Sequence, residues 1–375
     1  MHFGATSGGI RTYLERKAGY VERRADLRHT IVIPAERDET TTSGAVVWRR
    51  LYGPPIPGQA PYRLLCRPGQ LGRMVRESRP DLIEVGSPFL EPWLTHRANR
   101  TLEAPVVWFF HGNLPRIVAP DPSGEPAGRR ALHRLLRNYV RRVGRPMDAV
   151  LAASDAAARD LSDYGVAPVE RVSLGVDLER FNPARAARRD ETRRRFQLPV
   201  DRPLAIYAGR LAREKQIRPV IEAWRAVEQR TMAQLVLVGA GPDAANLRRL
   251  AGADRVHWLN FQKDQNALAD LLAAMDLYIA PGPAETFGLS ALEAMASGLP
   301  VLSVDAGAVP ELVRGAGAGG LYPLGDKAAI AEQAISLFES DLVAAGRRSR
   351  GYAEAHHAWE PALDNLFALY RRLAA

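Results

Sequence analysis

Short apolar runs rich in Val, Ile and Leu alternate along the chain with longer stretches of helical period. That is the pattern of parallel strands buried on both faces by helices. In the first half it predicts strands over HTIVIPA (29–35), DLIEVGS (81–87), VVWFFHG (106–112), AVLAAS (149–154) and VERVSL (169–174). The second half repeats the theme with LAIYAGR (204–210), AQLVLVG (233–239), VHWL (256–259), LYIAP (277–281), PVLSV (300–304) and GGLYPL (319–324). Between them, FNPARAARRDETRRRFQLPVDRP is polar, charge-dense and proline-containing, with no strand pattern, as interdomain linkers are.

The expected architecture is α/β, with two doubly wound parallel-sheet domains over 1–185 and 203–355 and a linker at 186–202. A length of 375 residues agrees with two such units. The closing segment 356–375 sets Trp359, Leu363, Leu366, Phe367 and Tyr370 at helical spacing. It is expected to form a helix that packs back toward the N-terminal domain. The start is unusual, because a doubly wound domain opens on a central strand and only MHFGA stands ahead of the Gly8–Gly9 pair. A truncated first strand, with the true start upstream, is the expectation.

Composition narrows the class. Hydrophobic residues are 46% and charged residues 25%, the balance of a globular protein with a core to bury. A single cysteine, Cys66, excludes an internal disulfide and a thiolate-rich metal site, and fits a reducing cytoplasm. No apolar run reaches the ~18–20 residues that span a bilayer, and no signal-peptide core is present. The net charge of +9 is uneven: residues 1–200 hold 33 Lys/Arg against 22 Asp/Glu, the remainder 18 against 20. Such asymmetry fits a nucleic acid, an anionic membrane or a charged substrate.

The richest segment is PGPAETFGLSALEAMASGLPVL (281–302). A strand ends at Ala280, a loop carries Glu285, and Gly288 opens a helix that carries Glu293 two turns along before Gly298 stops it. The amides around Gly288 and Leu289 then form an anion-binding helix start, where glycine permits close approach. Two separated carboxylates suit hydrogen bonds to different sugars on either side of a diphosphate, at ~1.5–3 kcal/mol for a charged acceptor. The bland alternative is a capped helix with surface acids. In AGRLAREKQIRPVIEAW (208–224), a strand delivers Arg210 at its carboxyl end and Lys215 stands at the start of the next helix. Two cations at the mouth of a parallel sheet can neutralise a leaving diphosphate; an exposed basic loop is the alternative.

Together, G-R-x-x-x-E-K at Gly209–Lys215, G-x-G-P at Gly239–Pro242, E-x(7)-E within Glu285–Met295 and G-V-D-x-x-x-F-x-P at Gly175–Pro183 resemble the retaining glycosyltransferases of family 4. The resemblance runs over nearly the whole chain, including SGGIRTYLE and PDLIEVGSP. It implies a GT-B fold, two Rossmann-like domains facing a cleft, with the acceptor on the N-terminal side. By that resemblance Arg210 and Lys215 bind the donor diphosphate, Glu285 faces the donor sugar and Glu293 holds the ribose. Gly288 and Leu289 offer amides, Gly209, Gly239 and Phe287 belong to the donor site, Gly8 and Gly9 form a loop near the diphosphate and acceptor, and His111 contacts the transferred sugar. Taken alone, a histidine after an apolar strand reads more readily as structural. Gln262 after Phe261 departs from the family's Phe-x-Gly turn and leaves the base-binding wall open.

The resemblance implies sugar transfer with retention, from a nucleotide-sugar donor to a glycan or lipid-linked acceptor; the expected location is the cytoplasm, with peripheral contact at the inner face of the membrane as an alternative. SGGIRTYL, PDLIEVGSP and FFHGN favour a mannosyltransferase using GDP-mannose over a UDP-sugar enzyme. No metal or cofactor is expected, since the chain has no Asp-x-Asp pair. GAGPDA (239–244) imitates a dinucleotide fingerprint, but Trp258, Leu259 and Asn260 occupy the place of its ribose-binding acid. GRRALHRLLRNYVRRVGR (128–145) aligns Arg130, Arg134, Arg137 and Arg141 with Leu132, Leu135, Leu136, Tyr139, Val140 and Val143 largely opposite. That basic amphipathic helix is either a domain helix with a solvated face or an anionic-lipid contact worth about 1 kcal/mol per cation. Other classes remain: a nucleic-acid-binding protein, though no recognition motif is present, and a non-catalytic sugar-nucleotide binder.

Overall fold

The computed structural model describes residues 8–56, 62–100, 102–118, 127–252 and 256–375. The chain divides into two compact units, one of Met1–Pro115, Asp121–Leu174 and Trp359–Ala375, the other of Arg116–Pro120 and Gly175–Ala358.

The second unit is built on six parallel strands: β8 (Leu204–Ala208), β9 (Gln234–Val238), β10 (Val256–Leu259), β11 (Leu277–Ala280), β12 (Val301–Val304) and β13 (Gly319–Tyr322). Their order is β10-β9-β8-β11-β12-β13. The chain therefore steps outward from β8 to β10, returns beside β8 at β11, and steps outward the other way. That reversal between β8 and β11 is the topological switch point where open α/β sheets bind ligands. Every residue of β8, β11 and β12 is buried, which explains why these strands read as unbroken apolar runs. The Ile217–Thr231 helix buries Ile217, Val220, Ile221, Trp224 and Val227, the stripe of a helix lying on one sheet face.

The segment read as a linker at 186–202 is not an open connection. Residues Arg189–Arg195 form a helix within the second unit, and Arg193 is completely buried. Its guanidinium donates to the carbonyls of Ala274 at 2.8 Å and Arg202 at 2.8 Å, and pairs with Asp276 at 2.9 Å. Charge anchors this helix where an apolar stripe ordinarily would.

The first unit contains β1 (His29–Ala35), β2 (Glu39–Ser43), β3 (Val46–Tyr52), β4 (Ile83–Val85), β5 (Val106–Phe109), β6 (Ala149–Ala152) and β7 (Val169–Arg171). The β4-β5-β6-β7 sheet is parallel; β1 and β3 pair in parallel, and β2 lies antiparallel on β3. Where a single doubly wound sheet was expected, the described residues form two sheets, and β1 and β4 share no ladder among them. The expectation of a truncated strand falls on residues 1–7, outside the described residues. The exposed β2 hairpin strand has no buried face and left no apolar signal. The last helix, Trp359–Ala374, belongs to this unit and buries Trp359, Leu363, Leu366, Phe367 and Tyr370. No helix among the described residues is long and apolar enough to cross a membrane.

Candidate functional site

In the second unit the candidate side chains assemble at the switch point. β8 runs into Gly209, whose N–H donates to the carbonyl of Val238 at 3.0 Å. A Cβ on Gly239, which has φ +148°, would sit 1.9 Å from the Gly209 carbonyl oxygen, so the ends of β8 and β9 touch backbone to backbone. That contact fixes where Arg210 emerges. Its guanidinium lies 3.8 Å from Glu214, and its carbonyl accepts from the Tyr207 hydroxyl at 2.8 Å.

Lys215 does not open the following helix. It closes a one-turn 3-10 helix, Arg213–Lys215, and Gln216 in the left-handed region turns the chain into Ile217–Thr231. This turn carries Lys215 Nζ to 2.5 Å from Glu285 Oε1, across 70 residues of sequence. Gly282 makes room: a Cβ there would lie 3.3 Å from Lys215 Cδ and 3.5 Å from Glu285 Oε1. The Glu285 loop is held from behind by the Ala308 amide, which donates to the Glu285 carbonyl at 3.0 Å.

Gly288 adopts φ +91° and caps the Leu289–Ala296 helix. A Cβ at that position would meet Val309 Cγ2 at 2.5 Å, so only glycine gives both the conformation and the space. The first-turn amides have no intrahelical partner, and with the macrodipole they form an anion-binding end. Glu293 is the fifth residue of this helix, one turn along rather than two, and is 8% exposed. Phe287 is buried edge-on against His357, centroids 5.7 Å apart. Beneath lie Tyr207 and Tyr278, with hydroxyls held well above the usual phenol range first by burial and then by carboxylate charge, including that of Glu285. Both stay neutral donors; the Tyr278 hydroxyl donates to the Ala208 carbonyl at 3.1 Å.

In the first unit, Gly8 caps the Gly9–Glu22 helix and both glycines are exposed. His111 follows β5, its ring stacked on Phe109 at 4.3 Å and tilted against Tyr13 of that same helix at 5.0 Å. Tyr13 stands one turn from Gly9, so the first helix links the glycine pair to the histidine. Behind His111 is a polar group that sequence reasoning passed over: Glu84, Lys17 and Tyr370, joined by hydrogen bonds. Its one local signal was a charged residue inside each of two buried stretches, Lys17 among Tyr13, Ala18, Tyr20 and Val21, and Glu84 between Ile83 and Val85.

The arginine-rich helix, Ala127–Gly144, departs from expectation at its leucines. Val140 and Val143 are buried, but Leu132 is 38% and Leu135 64% exposed. Its first half therefore presents leucines and arginines together to solvent.

Comparison with known proteins agrees with this architecture. A model of glycosyltransferase family 4 matches residues 7–180, and one of glycosyl transferases group 1 matches residues 202–340. A GDP-mannose-dependent alpha-(1-6)-phosphatidylinositol dimannoside mannosyltransferase of Mycobacterium tuberculosis is 32% identical over 314 residues, spanning 83% of this chain and 79% of that protein. The sulfoquinovosyl transferase SQD2 of Arabidopsis thaliana is 28% identical over 72% of this chain and 51% of its own. Among solved structures, sucrose-phosphate synthase from Thermosynechococcus elongatus superposes with a TM-score of 0.76 at 22% identity, covering 98% of this chain and 94% of that one. Anabaena HepE in complex with UDP and glucose gives 0.72 at 19% identity, covering 98% and 96%. A switch-point site of two cations and two glutamates, held in the second unit, thus stands in a chain that has the GT-B fold and belongs to glycosyltransferase family 4.

Proposed function

We propose that this glycosyltransferase moves a sugar, with retention of anomeric configuration, from a nucleotide-sugar donor to a glycan or lipid-linked acceptor, with GDP-mannose as donor. The observation that carries the reading is the gathering of Arg210, Lys215, Glu285 and the Gly288 helix start at the carboxyl ends of the central strands β8 and β11. As the sugar–phosphate bond breaks, charge grows on the diphosphate, and preorganised cations and amides are the groups that stabilise it. That arrangement supplies by itself what a metal ion would otherwise supply, so the reaction proceeds without one. Glu285 reads the donor sugar, the buried Glu293 reads the ribose, and Gly8, Gly9 and His111 serve the transferred sugar and acceptor. The acceptor hydroxyl attacks from the face the diphosphate leaves, and the departing phosphate takes its proton. The mannosyltransferase relative supports GDP-mannose and a lipid acceptor. The neighbour holding UDP and glucose keeps a UDP-sugar as the second reading.

Thermal-shift titration with GDP, UDP, GDP-mannose and UDP-glucose tests the donor, because stabilisation grows with ligand concentration over Kd. GDP and GDP-mannose are expected to raise Tm more than their uridine counterparts. Absence of any shift together with absence of donor hydrolysis would refute the reading. NMR of the transferred sugar then reads the anomeric outcome.

The exposed Leu132 and Leu135 beside Arg130 and Arg134 favour a site of action at the inner face of an anionic membrane. Flotation with phosphatidylglycerol vesicles is expected to carry the protein at low salt and release it at high salt; equal recovery with neutral vesicles would remove this part of the proposal.

A further inference from the structure

Behind His111 the first unit buries ionised groups that the donor grip does not use. Glu84 lies in β4 with its side chain 11% exposed, and Lys17, on the first helix, is 4% exposed. The carboxylate accepts from Lys17 Nζ at 2.6 Å, from the Tyr13 hydroxyl at 2.9 Å and from the Tyr370 hydroxyl. Lys17 also donates to the Tyr370 hydroxyl at 3.0 Å. A helix, a strand and the last helix thus meet on one carboxylate.

A buried ion pair is weak evidence for stability, since well-packed apolar groups of similar volume often serve as well or better. This pair has a neighbour that gives its charge a use. Tyr13 places its hydroxyl on Glu84 and its ring 5.0 Å from the His111 ring. Gly86, just past the end of β4, would bring a Cβ to 3.2 Å from His111 Cδ2. Phe109 closes the other side at 4.3 Å. Tyr13 of the first helix thus touches both the imidazole and the carboxylate.

We propose that Glu84, held by Lys17, Tyr13 and Tyr370, is the positioning residue for His111, fixing its ring and keeping a negative charge behind it so that the imidazole meets the transferred sugar as a hydrogen-bond donor. This deepens the reading of His111 as a sugar contact and rests on it. Burial alone raises the Glu84 pKa, but the charge of Lys17, hydrogen bonds from Lys17 and Tyr370 and the charge of His111 outweigh it and bring it down to about 2. The carboxylate is therefore ionised throughout the working range of pH. Burial and the Glu84 charge hold the Tyr13 and Tyr370 hydroxyls well above the ordinary phenol range, so both remain donors. Among the described residues, Tyr13 of the first helix packs against the imidazole and bonds Glu84 of β4, which Lys17 of the first helix and Tyr370 of the last helix also bond. His29, at the start of β1, interacts with both Lys17 and Glu84.

The test follows the His111 imidazole by NMR in the full chain, its signal identified among the eight histidines with His111→Gln. Glu84→Gln removes the negative charge and leaves Lys17, so the His111 titration is expected to move down by about one pH unit. Sugar transfer should lose at least tenfold in kcat with donor KM changed less than twofold, and Glu84→Asp should recover part of it. An unmoved His111 titration in folded Glu84→Gln overturns the proposal, as does a loss confined to KM. Should Glu84→Gln not fold, Tyr13→Phe removes one hydrogen bond and keeps the ring; a smaller downward shift supports the coupling and none overturns it. A parent protein that transfers no sugar while its His111 titration still responds to Glu84 would refute the functional reading and leave the coupling standing.

Discussion

Lys215 and Glu285 hold each other at 2.5 Å while 27% and 29% exposed. A half-exposed pair of this kind contributes about 1 kcal/mol or less to stability, since solvent screens it. It is correspondingly easy to open, and a diphosphate carries more charge than one carboxylate. Lys215→Ala is therefore expected to leave Tm nearly unchanged and to weaken nucleoside-diphosphate binding at least tenfold by calorimetry. Glu285→Gln should keep that affinity and lose about 100-fold in transfer rate, the magnitude typical of removing one transition-state contact. Equal losses of affinity in both variants would merge the two roles. These residues were legible in sequence because each sits just past an apolar run, where β8 and β11 end. Their ion pair was not, because no local period encodes a contact across 70 residues. Lys17 and Glu84 stayed hidden for the same reason, 67 residues apart.

Elements that rest on hydrogen-bonded charge escape a hydrophobic-period reading. The apolar strands of the second unit were legible nearly residue for residue, since both faces are buried. The Arg189–Arg195 helix read as linker because its buried residues are a threonine and an arginine. Asp276 also pairs with Arg189 at 2.8 Å, so Arg193→Ala leaves the carboxylate a partner, while Asp276→Ala leaves the buried Arg193 guanidinium without that counter-charge, which costs about 3–5 kcal/mol. By urea unfolding Asp276→Ala should lose stability on that order, and adding Arg193→Ala to it should cost much less than Arg193→Ala alone; simple additivity would mean the two do not act together. At the Leu289–Ala296 helix, Gly288→Ala imposes a left-handed conformation on a Cβ and drives it against Val309. The two effects together cost about 2–4 kcal/mol. Val309→Ala in the same chain should recover only the steric part in Tm, and nucleotide-induced stabilisation should stay reduced, because the helix-start amides have moved.

Across the whole molecule, a positive charge concentrated in residues 1–200 makes acid a more severe stress than base, since protonation adds to existing repulsion. Two buried groups set where that stress begins. His29 is held down to about 3 by burial and by the Lys17 charge, and its Nδ1 has no hydrogen-bond partner among the described residues. The unfolded chain takes up that proton near pH 6.5 while the folded chain refuses it until about pH 3. Stability from His29 is therefore present above pH 6.5 and is lost on acidification at up to about 1.4 kcal/mol per pH unit. Glu84, with an ordinary value of 4.5 and a folded value of about 2, adds a second loss of the same slope only below pH 4.5. Unfolding free energy should thus fall gently from pH 6.5 to 4.5 and about twice as steeply below. His29→Gln should flatten the upper limb and halve the slope of the lower one; Glu84→Gln, less stable at neutral pH, should leave the upper limb and reduce the lower to the same slope. Urea titrations at half-unit intervals from pH 7.5 to 3.5 would separate the limbs, and an upper limb identical in the parent and His29→Gln would mean that another group governs the onset.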